Sequence, residues 1–307
     1  MPNIYDLIIV GAGPAGMTAA IYAARRKLNF IIISLDVGGQ VGWSSEVDNY
    51  PGLPDLTGIQ LVERFRKHMA DYKIQVKQEE IIKVRKTGKL INVKTKKNNY
   101  QSKAVVIGAG KKPRKLGVPG EEQFTGKGVN YCATCDAPLF KNKTVVVIGG
   151  GNSGLEAALF LSKYATKVYI MEKLGKLNGE KYLKDKLEQD KKVEIITSAG
   201  VKEIKGNKFV NELIYEQKGS EKSLKVEGIF VEVGLITELG FTDVKKNKWK
   251  EIMLFRGTKS HNENLTSVPG IFAAGDCTDV PTKQIIVAAG EGAKAALASF
   301  DYIARLK

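Results

Sequence analysis

Several features that would restrict the function of this sequence are scarce or missing. The 307 residues contain only three cysteines and two histidines. No apolar run approaches the roughly 20 residues that a membrane-spanning helix needs. Met1–Val10 shows no basic segment followed by a long apolar core, as a secretory signal would. So few cysteines do not form the disulfide framework of a small secreted protein. These absences predict a protein that does not contact membranes and works in the reducing cytoplasm.

The net charge of +15 at pH 7 raises the question of a nucleic-acid partner. Proteins that bind nucleic acids gather positive charge on one face or tail and read bases with arginine. Here the basic residues are distributed from Arg25 to Lys307, and lysine far outnumbers arginine. We therefore expect no nucleic-acid partner. The positive field is expected to attract an acidic protein partner instead.

A dinucleotide-binding motif opens the sequence. Ile4–Val10 reads as an apolar strand, and a G-x-G-x-x-G turn, a helix through Arg26 and a returning strand at Phe30–Ser34 follow. Glycines in such a turn allow close approach of the backbone to a pyrophosphate at the helix N-terminus. Asp36 stands where a ribose partner is expected. The residues of the turn expected to bind are Gly11, Gly13, Pro14, Ala15 and Gly16.

A second motif of the same kind lies near the middle of the chain. Thr144–Ile148 is too short and too β-branched for a helix and reads as a buried strand. A second G-x-G-x-x-G turn, a helix and the strand Lys167–Met171 follow it. Two such motifs in 307 residues favour two domains, each with its own dinucleotide. The residues expected to bind the second dinucleotide are Gly149, Gly151, Asn152, Ser153, Gly154, Glu172 and Lys173.

A pair of cysteines immediately precedes the second motif. Cys132 and Cys135 have the C-x-x-C spacing of a redox-active disulfide, and Asp136 follows directly. A zinc site needs four ligands, and only Cys277, His68 and His261 remain to supply them. A thioredoxin active site would lie in its own short domain. The combination predicts that electrons pass from a dinucleotide to a disulfide.

The remaining segments complete the predicted architecture. Helices are expected over residues 58–72 and 181–188, and short antiparallel strands over 81–84 and 90–93. The long helix Gln284–Leu306 closes the chain, and its glycines Gly290 and Gly292 either admit something large to the backbone or mark a close helix contact. Segments 111–119 and 243–250 have the composition of domain crossings. The residues of the closing helix expected to face inward are Ile286, Ala289, Ala293, Leu297 and Phe300.

From Ile4 to Ile303 the chain resembles the low-molecular-weight thioredoxin reductases and the reductase module of alkyl hydroperoxide reductase flavoproteins. The resemblance implies an α/β fold with two Rossmann-like, three-layer dinucleotide-binding domains, the second inserted into the first. An FAD-binding domain would comprise residues 1–114 and 247–307, and an NAD(P)H-binding domain with the dithiol would comprise 115–246. A homodimer is also implied. The motifs that carry the resemblance are Gly11–Gly16, Gly38–Gln40, Asn49, Cys132–Asp136, Gly149–Gly154, Gly275–Asp276 and Lys283–Gln284.

The resemblance also implies roles for individual residues. Asp276 would bind the ribityl chain of FAD, and the helix that begins near Gln284 would direct its positive N-terminus at the reduced flavin. Cys135 would lie against the flavin, Cys132 would attack the partner's disulfide, and Asp136 would act as general acid and base. The further residues implied to line the flavin are Gly39, Gln40, Asn49, Gly275, Lys283, Gln284 and Ile285.

The expected activity is that of a thioredoxin-disulfide reductase. Electrons would pass from NAD(P)H through FAD and the dithiol to a small thioredoxin- or glutaredoxin-like protein. A carboxylate at Glu172 binds a free ribose diol and repels a 2′-phosphate, so we expect NADH to be preferred over NADPH. The alternatives are a reductase that feeds a peroxiredoxin system, and an NADH oxidase. A basic binding protein with a vestigial nucleotide fold would carry no flavin.

Overall fold

A computed structural model describes residues 4–44, 47–255 and 263–306. The chain divides into two compact units. The first comprises Met1–Lys112 and Ile236–Lys307, and the second, Pro113–Leu235, is inserted between these two segments. Both units contain parallel sheets. The predicted fold class, one Rossmann-like unit inserted into another, is therefore confirmed.

The first segment of the first unit begins with the predicted strand, helix and strand. The glycine turn follows β1 at once, and the later strands form an antiparallel extension of the sheet. The elements are β1 (Ile4–Val10), α1 (Pro14–Arg25), β2 (Phe30–Ser34), α2 (Gly58–Asp71), β3 (Val76–Gln78), β4 (Ile81–Thr87), β5 (Leu90–Thr95) and β6 (Asn99–Ile107).

The inserted unit contains the second glycine turn and the cysteine pair. The chain enters it within the two-residue strand β7 (Lys112–Pro113) and leaves it within β16 (Leu235–Ile236). The elements between are α3 (Glu121–Phe124), β8 (Val129–Asn130), α4 (Ala133–Asp136), β9 (Thr144–Ile148), α5 (Asn152–Ser162), β10 (Lys167–Met171), α6 (Lys181–Gln189), β11 (Val193–Ile196), β12 (Ala199–Gly206), β13 (Val210–Gln217), β14 (Ser220–Lys225) and β15 (Gly228–Val231).

The closing segment returns to the first unit and supplies β17 (Ile271–Ala273) and α7 (Ile285–Ala304). The complete sheet has the order β3-β2-β1-β6-β5-β4, and β17 pairs with the C-terminal half of β6. In the parallel part Val10 is in register with Ile107, and Ile107 with Ala273. The three strands therefore end at one edge, where the segments after them meet.

Both faces of the first sheet are covered, as expected for parallel strands. Leu7 and Ile9 of β1 face a cluster formed with α1 and α7, whereas Ile8 and Val10 face a second cluster with β4 and β5. This alternation explains why β1 reads as a continuous apolar run rather than an alternating one. The result is a three-layer unit.

The sheet of the inserted unit has the order β11-β10-β9-β15-β8, and all its pairings are parallel. One face packs against α4 and α5, and the other against the antiparallel sheet β12-β13-β14. The chain runs from β9 outward to β10 and β11, then returns to place β15 on the other side of β9. The gap between the ends of β9 and β15 is therefore a topological switch point, where α/β sheets bind ligands.

The return crossing lies earlier than the predicted boundary at 246/247. The chain leaves the inserted unit at Leu235/Ile236. The lysine-rich segment 243–250 belongs to the first unit, because Val244 and Ile252 are buried in its core. The polar composition of that segment reflects exposed loop lysines, Lys245, Lys248 and Lys250, rather than a hinge.

The inward face of α7 also differs from the prediction. Ile286 is 42% exposed, although Ala289 is buried as expected. A Cβ added to Gly292 would lie 2.1 Å from the carbonyl oxygen of Ala15, whereas one on Gly290 would meet nothing within 4 Å. Gly292 therefore serves a close helix contact between α7 and α1. Small residues face inward: Ala288, Ala289, Gly292, Ala295, Ala296, Ala298 and Ser299.

One buried hydroxyl in the first unit predicts a stabilising substitution. Thr242 Oγ1 has no hydrogen-bond partner within the described ranges, and the residue borders a cavity of about 200 Å³. An orphan buried polar group costs about 1–3 kcal/mol. We expect Thr242→Val to raise the free energy of unfolding by about 1 kcal/mol, measured by urea unfolding.

The matched control for this prediction is Thr266→Val. Thr266 is equally buried, but its hydroxyl donates to the carbonyl oxygen of Ile271 at 2.8 Å. Removing this hydroxyl loses that bond and also the acceptor of the Val268 backbone N–H, which donates to Thr266 Oγ1 at 3.2 Å, so the control should be destabilised by about 1 kcal/mol. Equal losses of stability in the two variants would contradict the prediction for Thr242.

Candidate active site

The first glycine turn lies where β1, β6 and β17 end, and two of its glycines are required by the fold itself. Gly11 has a φ of +95°, and a Cβ there would lie 2.3 Å from the carbonyl oxygen of Gly108. A Cβ on Gly16 would lie 1.8 Å from the carbonyl oxygen of Gly11. No other residue fits at either position without movement of the backbone.

Gly13, the middle glycine of the turn, is not required by the fold in this way. Its φ of −79° suits any residue, and the nearest heavy atom to an added Cβ would be 4.0 Å away. It caps α1 without a side-chain hydrogen bond, and the first turn of α1 contains no acidic residue. Free N–H groups at a helix N-terminus, beside space that a Cβ would fill, form a cradle for a phosphate group. The residues therefore fit a pyrophosphate here.

Several of the predicted flavin-lining residues lie together in the first unit. The amide nitrogen of Asn49 donates to Gln284 Oε1 at 3.1 Å. Gln40 hydrogen-bonds the carboxylate of Asp276. An added Cβ on Gly39 would lie 3.5 Å from the Cα of Gly13, which places the Gly38–Gln40 segment beside the turn. Asp36 is exposed two residues beyond β2.

The loop after β17 is fixed by charged groups. Burial raises the pKa of Asp276, and Lys283, Lys111 and the hydrogen bond from Gln40 oppose that shift. Lys283 Nζ donates to the carbonyl oxygens of Asp276 at 3.3 Å and Thr278 at 2.6 Å. α7 then begins at Ile285, and its N-cap Gln284 makes no side-chain capping bond. The helix N-terminus is thus left open at the edge where the glycine turn lies.

Three residues that hold this loop were not identified from the sequence. Glu291 Oε2 accepts the backbone N–H of Gly275 at 2.7 Å. Glu251 pairs with Lys111 at 2.9 Å and with Lys283 at 3.4 Å. No motif marks Glu251 or Lys111. Glu291 is marked in the sequence only by its position between Gly290 and Gly292 in the closing helix.

The second glycine turn repeats the arrangement of the first. A Cβ on Gly149, whose φ is +123°, would lie 2.2 Å from the carbonyl oxygen of Glu232, and one on Gly154 would lie 2.0 Å from that of Gly149. Gly151 has nothing within 4 Å of an added Cβ. It caps α5 without a side-chain bond, and no acidic residue occupies the first turn. This turn therefore also fits a pyrophosphate.

Glu172 follows β10 and turns back toward the second glycine turn. Its Oε2 accepts the backbone N–H of Gly150 at 2.6 Å, and its Oε1 accepts that of Leu174 at 2.8 Å. Lys173 is exposed beside it. The carboxylate is thus held at the end of the second strand, the position of the ribose partner in dinucleotide-binding folds. Asn152 and Ser153 begin α5, and Asn152 hydrogen-bonds Glu180.

The cysteine pair is a disulfide at the start of α4. The sulfur atoms of Cys132 and Cys135 are 2.08 Å apart. Cys132 caps the short helix, and its Sγ accepts the backbone N–H of Cys135 at 3.1 Å. Cys132 is only 9% exposed, whereas Cys135 is exposed. The alanines Ala133 and Ala137 pack this segment against α5, the helix that starts at the second glycine turn.

Asp136 does not serve as a capping residue. It precedes the 3₁₀ turn Ala137–Phe140, but its side chain makes no capping hydrogen bond. Burial raises the pKa of Asp136, which favours a carboxyl group that can carry a proton. The remaining cysteine, Cys277, is fully buried, and burial raises the pKa of its thiol to about 11.

Neither a membrane-spanning helix nor a metal-binding cluster occurs within residues 4–44, 47–255 and 263–306. None of the helices there has the length and apolar character that crossing a membrane requires. In the same residues no group of three or more His, Cys, Asp or Glu side chains is arranged to hold a metal ion. His261, considered above as a zinc ligand, lies outside the described ranges.

Comparison with known proteins identifies the family. The family model for pyridine nucleotide-disulphide oxidoreductases matches residues 5–292. The chain belongs to this family. Its members are oxidoreductases, and membership implies FAD and a nicotinamide nucleotide as cofactors. The expected relation to thioredoxin reductases and to the hydroperoxide reductase module is confirmed by the relatives described next.

Two groups of relatives are similar over nearly the whole chain. The F subunit of alkyl hydroperoxide reductase from Escherichia coli is 38% identical over 99% of this chain and 59% of its own length. Its Staphylococcus aureus counterpart is 41% identical over 98% and 59%. The crystal structure of Lactococcus lactis thioredoxin reductase has a TM-score of 0.89 and 32% identity, covering 98% of this chain and 99% of that one. T. acidophilum thioredoxin reductase has a TM-score of 0.87 and 36% identity, with 99% of both chains covered. The chain thus spans about three-fifths of the length of the curated relatives it matches.

Proposed function

We propose that this protein is a flavin-dependent disulfide reductase that uses a nicotinamide nucleotide to reduce a disulfide on a small dithiol protein. The observation that carries the proposal is the pair of phosphate cradles, at Gly13 and Gly151, in one chain with the Cys132–Cys135 disulfide. Membership of the family supports both cofactors.

FAD would be held by the first unit. Its pyrophosphate would take the cradle at Gly13 and the open N-terminus of α1, and Asp276 would bind the ribityl chain. Gln40, Asn49 and Gln284, which take part in the hydrogen-bonded pairs described above, would line the ring. Bound FAD supplies the electron chemistry: it accepts hydride from the nicotinamide nucleotide and gives an electron pair to a disulfide.

The dithiol would then reduce the partner by exchange. The Cys132 thiolate attacks one sulfur of the partner's disulfide, and the other partner sulfur leaves as a thiolate that Asp136 protonates. Cys135, as a thiolate, attacks Cys132 in the mixed disulfide, which releases the reduced partner and restores the Cys132–Cys135 bond. The roles of the two sulfurs follow the resemblance. Because Cys132 is the less exposed residue of the pair, its attack on a protein requires a rearrangement that exposes it.

The nicotinamide nucleotide would bind the inserted unit at Gly151, with Glu172 at the adenosine ribose. We expect kcat/KM for NADH to exceed that for NADPH by on the order of tenfold or more, because a carboxylate repels a 2′-phosphate. Glu172→Gln removes the charge and should narrow this preference by about tenfold. Steady-state rates with each cofactor test both statements, and a clear NADPH preference of the wild-type protein would contradict the role of Glu172.

The acceptor is proposed as a thioredoxin- or glutaredoxin-like protein, in a homodimeric and cytoplasmic enzyme. A second function, supply of electrons to a peroxiredoxin through a separate small dithiol protein, is favoured by the similarity to the alkyl hydroperoxide reductase proteins. An assay of NADH oxidation coupled to insulin or dithiobenzoate reduction, with and without each candidate dithiol protein, tests the proposal. Oxygen consumption that no dithiol protein changes would indicate an NADH oxidase instead.

A further inference from the structure

Glu232 occupies the switch point of the inserted unit. It is the first residue after β15, and its backbone N–H donates to the carbonyl oxygen of Ile148, the last residue of β9, at 2.8 Å. Its own carbonyl oxygen is the atom that excludes a Cβ at Gly149. The residue therefore lies against the second glycine turn, on the opposite side from β10 and Glu172. No motif in the sequence marks it.

The side chain of Glu232 is partly buried and lacks a hydrogen-bond partner among the described residues. Within residues 4–44, 47–255 and 263–306, no hydrogen bond joins its carboxyl group to another residue. Burial, together with the charge of Glu156 on α5, raises the pKa of Glu232 to about 8. At pH 7 it is therefore mostly a neutral acid whose proton has no acceptor among the described residues.

The charged groups around Glu232 do not neutralise it. On α5 the nearest is Glu156, and Glu180 at the start of α6 acts in turn on Glu156. Neither Gly149–Gly151 nor the strands β8, β9 and β15 contain a charged residue. Arg114, whose backbone N–H donates to Gly234, is exposed. The charge that acts on Glu232 is therefore that of Glu156.

We propose that Glu232 is a binding residue for the nicotinamide nucleotide, to which it donates a hydrogen bond as a neutral carboxylic acid. This inference rests on the proposed function, because it assumes that the second glycine turn holds that nucleotide. The acceptor would be an oxygen of the half of the dinucleotide that lies away from Glu172. Loss of the proton would remove the donor and add a negative charge facing the nucleotide.

The proposal predicts that the affinity for the nicotinamide nucleotide depends on pH in a definite direction. Glu232 is protonated below its pKa of about 8, so the affinity should be steady near neutral pH and fall as the pH rises through that value. If only the protonated form binds, the dissociation constant should rise about tenfold from pH 7 to pH 9. Glu232→Gln keeps a donor but cannot ionise, so its affinity should stay nearly constant over that range.

Two further variants distinguish this role from a structural one. Glu232→Ala removes the donor and should weaken NADH binding several-fold at pH 7, an effect that glutamine rescues. Glu156→Gln removes the neighbouring charge that raises the pKa of Glu232. In that variant the fall in affinity should therefore begin at lower pH. A purely structural contribution of Glu232 would not shift a pH profile when Glu156 is changed.

The experiment measures the dissociation constant of NAD⁺, which should bind the same crevice but cannot reduce the flavin, by isothermal titration calorimetry on the purified, FAD-loaded protein between pH 6.5 and 9.5. A fall in affinity of the wild-type protein through pH 8 that is absent in Glu232→Gln supports the inference. The same fall in both proteins overturns it and leaves the proposed function intact. Absence of NAD⁺ binding by the wild-type protein, with FAD bound, overturns the proposed function together with the inference.

Discussion

Replacing Cys135 with serine is expected to reduce NADH-dependent reduction of a partner disulfide by on the order of a thousandfold or more, as removal of a covalent catalyst does. Serine cannot form the Cys132–Cys135 bond, so the chain loses the group that stores the electron pair. Oxidation of NADH by oxygen should persist, because it does not require the dithiol. The two rates, measured on the same preparation by NADH absorbance and by an oxygen electrode, should therefore separate.

The control for this variant is Cys277→Ser. Cys277 is buried, and its thiol donates to the carbonyl oxygens of Ile107 and Ala274, contacts that a serine hydroxyl can also make. With rates expressed per bound FAD, this variant should retain disulfide reduction. If Cys135→Ser also retained it, the Cys132–Cys135 pair would not lie on the electron route.

Valine at the middle glycine of each turn should eliminate one cofactor at a time. At Gly151 a side chain meets no protein atom within 4 Å of its Cβ and the backbone angles are ordinary, so Gly151→Val should fold. The side chain would occupy the pyrophosphate cradle and displace the nucleotide by ångströms. We expect FAD to remain bound and kcat/KM for NADH to fall by on the order of a hundredfold, the cost of such a misplacement.

Gly13→Val is the companion variant in the first unit. By the same argument it should fold but purify without FAD, and its inserted unit should still bind NADH. Gly154→Ala provides the contrast, because a Cβ there would lie 2.0 Å from the carbonyl oxygen of Gly149 and should lower stability rather than remove one ligand. Unchanged flavin content in Gly13→Val, or unchanged NADH kinetics in Gly151→Val, would contradict the assignment of the cradles.

Local signals predicted the two glycine turns and their strands well. β1, β2, β9 and β10 begin and end at the predicted residues. Each is a short apolar run that ends in glycine or a polar residue, and buried parallel strands require that pattern. The positions of Gly11, Gly16, Gly149 and Gly154 follow from the same chemistry, since the fold tolerates no Cβ there.

Features that depend on long-range contacts were missed or misplaced. The sheet β12-β13-β14 was not predicted, because register shifts between Val201 and Glu203 and after Lys205 interrupt the alternation of apolar and polar residues. The face of α7 was misjudged because large residues were assumed to be inside. α7 instead meets α1 through Gly292 and alanines, so the closest approach is made by the smallest side chains.

The residues of the candidate site were likewise predicted only in part. Asn49, Gln284, Gln40 and Asp276 were predicted through the resemblance, and the structure joins them in hydrogen-bonded pairs. No motif marks Glu251, Glu291 or Glu232, because each contacts a segment that is distant in sequence or belongs to another element. Only the folded arrangement shows that Glu291 holds Gly275, or that Glu232 lies against Gly149.

The most direct test of the electron route is the redox state of Cys132 and Cys135 after anaerobic addition of NADH to the FAD-loaded protein. Thiols trapped by alkylation can be assigned to these residues by peptide mass spectrometry. We predict that NADH reduces the disulfide. The amount of alkylated Cys132 and Cys135 should then rise in proportion to the amount of NADH oxidised, after subtraction of the NADH that reduces the flavin. A disulfide that stays closed while the flavin loses its colour would contradict the proposed route.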